Sequence, residues 1–122
     1  MELTINGAVY QFHFGMGFLR EINKKISTPL DGLKDVQKNI GFTYMVASLI
    51  DGDPEALVDV LDIANKGQSP RVTRTLLDSY LDNEDTDIDA LFSEVLDFLK
   101  KTNATKKVTT SLLEASEKQE QS

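Results

Sequence analysis

The sequence predicts a mainly α-helical domain, in which an N-terminal β-hairpin packs on a bundle of about five helices and a flexible C-terminal tail follows. Three observations predict this fold: alternating apolar residues around Asn6-Gly7, several apolar stripes at helical spacing, and a polar composition after Thr102. A chain of 122 residues is long enough for one core. We therefore expect a helical domain with its hairpin over residues 1–102 and a polar flexible tail over residues 103–122.

The hairpin is predicted by its turn and its register. Asn6-Gly7 is a preferred two-residue turn because both positions need a positive φ. Folding the chain about it pairs apolar residues on one face: Ile5 with Ala8, Leu3 with Tyr10, and Met1 with Phe12. A two-stranded hairpin is only marginally stable, so this apolar face should lie on the helices.

The helices are predicted from apolar spacing and from their start signals. A first helix after Gly15 carries Leu19, Ile22 and Ile26, and Pro29 and Gly32 mark its end. A second helix should run from about Leu33 to Ile50, buried on most sides because residues 40–50 carry no charge. Asp53-Pro54 and Ser69-Pro70 each place a capping residue before a proline, which predicts two more helix starts. Their predicted inward residues are Leu57, Val60, Leu61 and Ala64, before a C-cap near Gly67, and then Thr73, Leu76, Leu77, Tyr80 and Leu81.

The last helix should run from about Asp87 to Lys101 and carries the predicted protein-binding residues. Its apolar stripe lies near the end of the chain, where an element can most easily pack against a neighbouring molecule. We therefore expect an exposed binding surface formed by Phe92, Val95, Leu96 and Leu99. The free edge of the hairpin is a second candidate, because an unpaired strand invites another strand.

The tail that follows the last helix has too little apolar surface to dock, so truncation after Asn103 should leave the melting temperature nearly unchanged.

Composition narrows the possible partners. The net charge is −7 and the pI is about 4.6, which argues against nucleic acid and anionic membranes as partners. No stretch approaches the roughly 20 apolar residues of a transmembrane helix. The absence of cysteine excludes disulfides and thiolate metal sites and fits a cytoplasmic setting.

No catalytic, cofactor or metal site is predicted. Asp82–Asp89 is rich in carboxylates but lacks the glycine and the glutamate that a calcium-binding loop needs at its sixth and twelfth positions. His13 is the only histidine and lies on the polar face of the hairpin, without a second imidazole or a thiol to complete a site. We therefore interpret the chain as a binding protein and not as an enzyme, although an enzyme remains a third alternative.

Two blocks of the sequence resemble a known family. Residues 1–23, from Met1-Glu-Leu-Thr-Ile-Asn-Gly to Leu-Arg-Glu-Ile-Asn23, are similar to the opening of tail assembly chaperones from long-tailed phages and prophages of Gram-positive bacteria. Residues 51–65, Asp51-Gly-Asp-Pro-Glu-Ala-Leu-Val-Asp-Val-Leu-Asp-Ile-Ala-Asn65, resemble the mid-domain helix of the same family. With the order of helices, the resemblance covers most of residues 1–101.

The resemblance implies a function in tail morphogenesis. Such a chaperone would bind and solubilise the tape measure protein in the host bacterial cytoplasm, and would be absent from the mature virion. This chain would be the short, non-frameshifted product, and a longer frameshifted form would recruit the tail tube protein. The family also implies a homo-oligomer. The alternative is an acidic prophage-encoded regulator or inhibitor that binds a basic protein through Asp82–Asp89, where steering by charge is possible.

Overall fold

The computed structural model describes residues 1–25 and 40–121, with side chains described up to residue 118. Two strands precede six helices in chain order. Their bounds are β1 Glu2–Ile5, β2 Ala8–Gln11, α1 Met16–Lys25, α2 Ile40–Ile50, α3 Pro54–Ala64, α4 Arg74–Asp82, α5 Ile88–Lys101 and α6 Lys106–Gln121. The prediction of a mainly helical protein with an N-terminal hairpin is confirmed.

The hairpin has the predicted turn and register. Asn6 and Gly7 adopt φ values of 52° and 81°, as a two-residue turn with positive φ at both positions requires. The antiparallel strands pair Ile5 with Ala8 and Leu3 with Tyr10. Met1 and Phe12 extend the pairing, because the Phe12 amide donates to the Met1 carbonyl over 2.9 Å. Leu3, Ile5 and Phe12 are buried, so one face of the hairpin joins the core.

Helices α1, α2 and α3 form the centre of the core. The predicted residue Ile22 is buried in α1, and α2 buries Phe42, Met45, Val46 and Leu49. Ring centroids of Phe18 and Phe42 lie 6.4 Å apart in an edge-to-face arrangement, which joins α1 to α2. The predicted features at Ile26, Pro29, Gly32 and Leu33 lie outside the described residues.

One of the two predicted proline starts is confirmed and the other is wrong. Pro54 begins α3, and the Asp53 carboxylate accepts a hydrogen bond from the Glu55 amide over 3.0 Å. The four predicted inward residues of α3 are all buried, although the helix ends at Ala64 with Asn65 as its C-cap and not near Gly67.

The second predicted start, at Ser69-Pro70, does not begin a helix. Helix α4 starts four residues later, where the Thr73 hydroxyl accepts a hydrogen bond from the Leu76 amide over 3.1 Å. Before this start, the Val72 amide donates to the buried side chain of Asn65 over 2.6 Å and not along a helix, and the Arg71 guanidinium donates to the same oxygen. Thr73 is therefore an exposed cap and not an inward residue, whereas Leu77 is buried as predicted.

The structure differs from the predicted tail, because most of residues 103–122 form helix α6. Thr105 and Thr109 are buried, and Val108 and Leu112 pack against the core next to α2 and α5. These four residues recur at helical spacing. Two of them are threonines, which are polar, so the apolar residues alone do not predict the helix. The last part of the helix is polar and exposed at Glu114, Glu117 and Lys118, so only its first half contributes to the core.

Candidate functional site

The predicted binding residues of α5 are not an exposed surface in this chain. Val95 and Leu99 are fully buried, and Phe92 and Leu96 are half-buried against the core. Helix α6 packs against α5 and covers part of the stripe that we expected to be free. Exposure of Val95 and Leu99 is therefore a wrong prediction. Phe92 and Leu96 keep some exposed surface, so their contact with a partner stays a prediction.

A surface with mostly uncharged side chains lies instead on the outside of α2 and α6. We define the α2–α6 face by Tyr44, Ala47 and Ile50 of α2 and by Leu112 and Ala115 of α6. Tyr44 is 64 % exposed, and a groove of about 180 Å³ lies between the two helices beside the other four residues. Helix α2 carries no charged side chain along its whole length. A surface of this kind suits contact with an amphipathic partner.

Other large apolar side chains are exposed on the hairpin side of the molecule. Val9 is 45 % exposed, Met16 50 % and Phe98 37 %. The ring of Phe98 lies 6.2 Å from the ring of Phe14, which is itself buried. Scattered exposed apolar residues are normal on protein surfaces, so these positions serve best as comparison sites for the α2–α6 face.

A buried amide, which sequence reasoning missed, connects the hairpin to α3. Asn65 is 0 % exposed, and its amide nitrogen donates to the carbonyl oxygens of Gln11, over 2.9 Å, and Pro70, over 3.3 Å. Its oxygen accepts from the Val72 amide over 2.6 Å and from the Arg71 guanidinium over 2.9 Å. The bond to Gln11 joins residues 54 positions apart, so no local signal identifies the contact with the hairpin.

The exposed side of α3 carries carboxylates that pair with basic residues. The Arg71 guanidinium lies 2.9 Å from Asp62, and Arg74 lies 2.8 Å from Asp59. Lys25 of α1 approaches the same Asp59 oxygen at 3.2 Å. The hydrogen bond that the Arg74 guanidinium donates to Asp59 raises the pKa of Arg74 above its ordinary value. These carboxylates are thus occupied in linking α1, α3 and α4.

The acidic segment 75–99 is different. It contains eight carboxylates and no lysine or arginine. Every ion pair of the described residues lies between residues 21 and 74, so none involves this segment. Asp87 caps α5 by accepting from the Ala90 amide over 3.0 Å, and the other acidic residues of the α4–α5 loop are exposed. Part of this loop lines a groove of about 460 Å³ whose opposite wall is β1.

The side chains that could bind a metal ion are dispersed in the described part of the chain. Within residues 1–25 and 40–121, no three histidine, aspartate or glutamate side chains are grouped closely enough to hold a metal ion. His13 is exposed, as predicted, and its amide donates to the Ala64 carbonyl over 2.8 Å. Among the helices of this part of the chain, none has the length and apolarity that a membrane span requires.

Comparison with known proteins identifies a family. A sequence model described as "Phage tail assembly chaperone protein, TAC" matches residues 2–114. No curated protein and no solved structure matches the chain. The match spans the hairpin, the first five helices and the first half of α6, so it includes the surfaces described above except Ala115 of the α2–α6 face. The chain belongs to the phage tail assembly chaperone family.

Proposed function

We propose that this chaperone binds and solubilises the tape measure protein during tail morphogenesis, and that it does so through the α2–α6 face. The observation that carries the proposal is the exposure of Tyr44, at 64 %, on a helix without a single charged residue. The role is one of binding and involves no catalysed reaction, which agrees with a chaperone family.

The α2–α6 face fits an amphipathic helix as its ligand. Such a helix buries apolar side chains at positions i, i+3, i+4 and i+7 in a groove of its partner. Tyr44, Ala47 and Ile50 lie three residues apart along α2, and Leu112 and Ala115 lie on the other side of the groove. Asp51 and Ser116 also line the groove and provide a polar rim, as is usual at protein interfaces. The partner segment would therefore be helical, with one apolar stripe.

The acidic surface supports the solubilising role. A chain with a net charge of −7 adds that charge to its complex, so the complex is negatively charged unless the partner is equally basic. Like charges on neighbouring complexes repel and oppose precipitation of an aggregation-prone partner. The two properties that a chaperone needs, an apolar contact surface and a charged exterior, are thus supplied by different parts of the chain.

Co-expression with the tape measure protein of the same phage or prophage tests the function. The soluble fraction of the tape measure protein should rise severalfold with the wild-type chain. Tyr44→Glu should abolish most of this rise, because it places a charge in the proposed contact. Met16→Glu is the matched control, since it adds the same charge at another exposed apolar residue and should act like the wild type.

The possible results distinguish an error in the proposed function from an error in the proposed binding surface. A tape measure protein that stays insoluble beside the wild-type chain contradicts the proposed function. Solubilisation by both Tyr44→Glu and the wild type contradicts only the choice of the α2–α6 face. Thermal unfolding of each variant shows whether a loss of function follows from a loss of folding.

We also propose the cellular setting that the family resemblance suggests. The chain would be the short product, acting as a homo-oligomer in the host bacterial cytoplasm and absent from the mature virion. A longer frameshifted form would bring the tail tube protein to the complex. Light scattering of the purified chain tests the oligomer, and mass spectrometry of infected or induced cells tests both the longer product and the composition of the virion.

A further inference from the structure

The outer edge of β1 is a second candidate interface, separate from the α2–α6 face. Met1 and Phe12 exchange two backbone hydrogen bonds, of 2.9 and 3.3 Å. In an antiparallel pair, residues two positions further on face the partner strand in the same way. Leu3 and Ile5 therefore face β2 with their backbone groups, whereas Glu2 and Thr4 direct theirs away from the hairpin.

The two edges of the hairpin have different surroundings. On the β2 side, the outward carbonyl of Gln11 accepts from Asn65 and the outward amide of His13 donates to Ala64. On the β1 side, the outward backbone groups of Glu2 and Thr4 have no backbone partner among the described residues. An edge of this kind is a template for an additional strand.

Space for an additional strand exists beside this edge. The groove of about 460 Å³ is bounded by Thr4 and Asn6 on the hairpin and by Tyr80, Asp85 and Asp87 on the opposite side. A docked strand lies about 4.8 Å from its neighbour, which places it in this groove. Residue Thr4 is exposed, so the edge is accessible.

The charge of the groove identifies the chemistry of the occupant. Asp85 and Asp87 belong to the acidic segment, in which no carboxylate forms an ion pair within the described part of the chain. A second copy of this chain would bring a further charge of −7 and the same acidic loop to the contact. A partner segment with lysine or arginine at alternate positions would instead place cations opposite Asp85 and Asp87.

We propose that the β1 edge binds an extended, lysine- or arginine-bearing segment of a partner protein as a third strand of the sheet. The backbone of Thr4 provides one amide and one carbonyl for pairing, and the acidic loop selects for positive charge. This interface goes beyond the proposed function, because it concerns an extended segment and not an amphipathic helix. It can thus fail or hold independently of tape measure binding.

Nuclear magnetic resonance of the full chain tests the proposal with a defined probe. The probe is a capped eight-residue peptide of alternating lysine and valine, and its comparison peptide alternates glutamate and valine. We expect saturable binding of the lysine peptide with a dissociation constant below about 1 mM and exchange of the Thr4 amide slowed by about tenfold or more. The glutamate peptide should leave both unchanged. Absence of binding, or equal binding of the two peptides, overturns the proposal.

Matched variants locate the binding on the β1 edge. Thr4→Pro removes the outward amide and should weaken binding by about tenfold or more. Val9→Pro, opposite Thr4 in the register, removes an outward amide from the other edge and should not weaken it. Equal effects of the two variants overturn the proposal. If the spectrum of Thr4→Pro shows that the hairpin has unfolded, the test is exchange of the Thr4 amide in the wild type. Exchange that the lysine peptide leaves unchanged overturns the proposal.

A second pair of variants tests the role of charge. Asp85→Asn with Asp87→Asn should weaken binding of the lysine peptide by about fivefold at 0.15 M salt. Asparagine preserves the cap of α5, because it also accepts a hydrogen bond from a helix amide. Asp97→Asn with Glu114→Gln makes the same change in net charge away from the groove and should have little effect. Equal weakening by both pairs contradicts a specific contact with the acidic loop.

Discussion

The two ends of the described chain dock on the core by contrasting means. The N-terminal hairpin is joined to α3 by the buried side chain of Asn65, whose amide nitrogen and oxygen each make two hydrogen bonds. At the C-terminal end, two buried hydroxyls face the core, one from Thr109 of α6 and one from Thr105 just before it. The Thr105 hydroxyl has a partner, the Leu99 carbonyl at 2.6 Å. Thr109 Oγ1 is buried without a hydrogen-bond partner in the described structure.

This difference indicates how firmly each end is held. A satisfied polar junction both stabilises and specifies one arrangement, whereas an unsatisfied buried hydroxyl costs about 1–3 kcal/mol. We therefore expect the hairpin to separate from the core only on global unfolding, and α6 to separate more easily. Since α6 forms one side of the α2–α6 face, its docking also determines the shape of the proposed binding groove.

The largest expected effect is that of Asn65→Asp. A carboxylate would place an acceptor against the Gln11 and Pro70 carbonyls, which now accept from the amide nitrogen. The Arg71 guanidinium would offset only part of the cost of burying this charge, so the free energy of unfolding should fall by about 2–4 kcal/mol at pH 7. Urea denaturation measures the change. A loss below about 1 kcal/mol would show that the junction is solvated and does not fix the hairpin.

Asn65 also shows what the sequence could not predict. The hairpin register follows from Asn6-Gly7 and alternation, and the start of α3 follows from Asp53-Pro54, because these signals act between near neighbours. The bond from Asn65 to Gln11 depends on where α3 ends relative to β2, which is a property of the tertiary packing. The Val72 amide donates to the same side chain and not along a helix, and the helix signal at Ser69-Pro70 is not used.

The candidate surfaces were predicted less completely than the fold. If residues 103–122 are a flexible tail, no element covers the apolar stripe of α5, and the sequence then predicts a partner at Val95 and Leu99. In the structure α6 packs on α5, and both residues are buried in the core. Composition concealed α6 because two of its four inward positions are threonines. The hairpin edge, the second candidate surface, has no backbone partner on its β1 side among the described residues, and its contact with a partner stays a prediction.

The next effect in size is that of truncation after Asn103, which removes α6. The sequence alone predicted almost no change in stability, but the structure leads to a different expectation. Loss of the packing of Val108 and Leu112 on the core should cost about 2–3 kcal/mol, after allowing for the entropy of ordering the helix.

Truncation after Ser116 is the control for this prediction. It removes the exposed Glu117 and Lys118 and leaves the packed half of α6 in place, so it should cost less than about 0.5 kcal/mol. Chemical denaturation of both truncated chains measures the difference. Equal stability of the two would show that α6 contributes nothing to the core and that residues 103–122 behave as the predicted tail.

A smaller effect is expected for Thr105→Val. The substitution keeps the shape of the side chain but deprives the Leu99 carbonyl, near the end of α5, of its bond to the Thr105 hydroxyl. We expect a loss of about 1–2 kcal/mol, the usual cost of one buried hydrogen bond with an acceptor left unpaired. Thr102→Val is a useful comparison, because its hydroxyl bonds to the Phe98 carbonyl at an exposed site, where water can replace it.

The smallest effect, and the only one of opposite sign, is expected for Thr109→Val. Thr109 is 0 % exposed and its hydroxyl has no partner among the described residues. Valine has nearly the same shape and a similar helix propensity, so the substitution removes an unsatisfied polar atom without opening a cavity. The free energy of unfolding should therefore rise by about 1 kcal/mol. The chain truncated after Asn103 lacks Thr109, so this increase in the free energy of unfolding depends on the docking of α6.

Hydrogen exchange of the α6 amides distinguishes this explanation from a general gain in stability. Firmer docking should slow exchange in α6 by about fivefold in Thr109→Val, with no change at the outward amides of Glu2 and Thr4, which exchange without unfolding because they have no backbone partner among the described residues. A variant that is less stable than the wild type would show that the Thr109 hydroxyl is satisfied in solution, by water or by the helix backbone. The contrast between a fully satisfied N-terminal junction and an incompletely satisfied C-terminal one would then be lost, and α6 would have to be regarded as an integral part of the core.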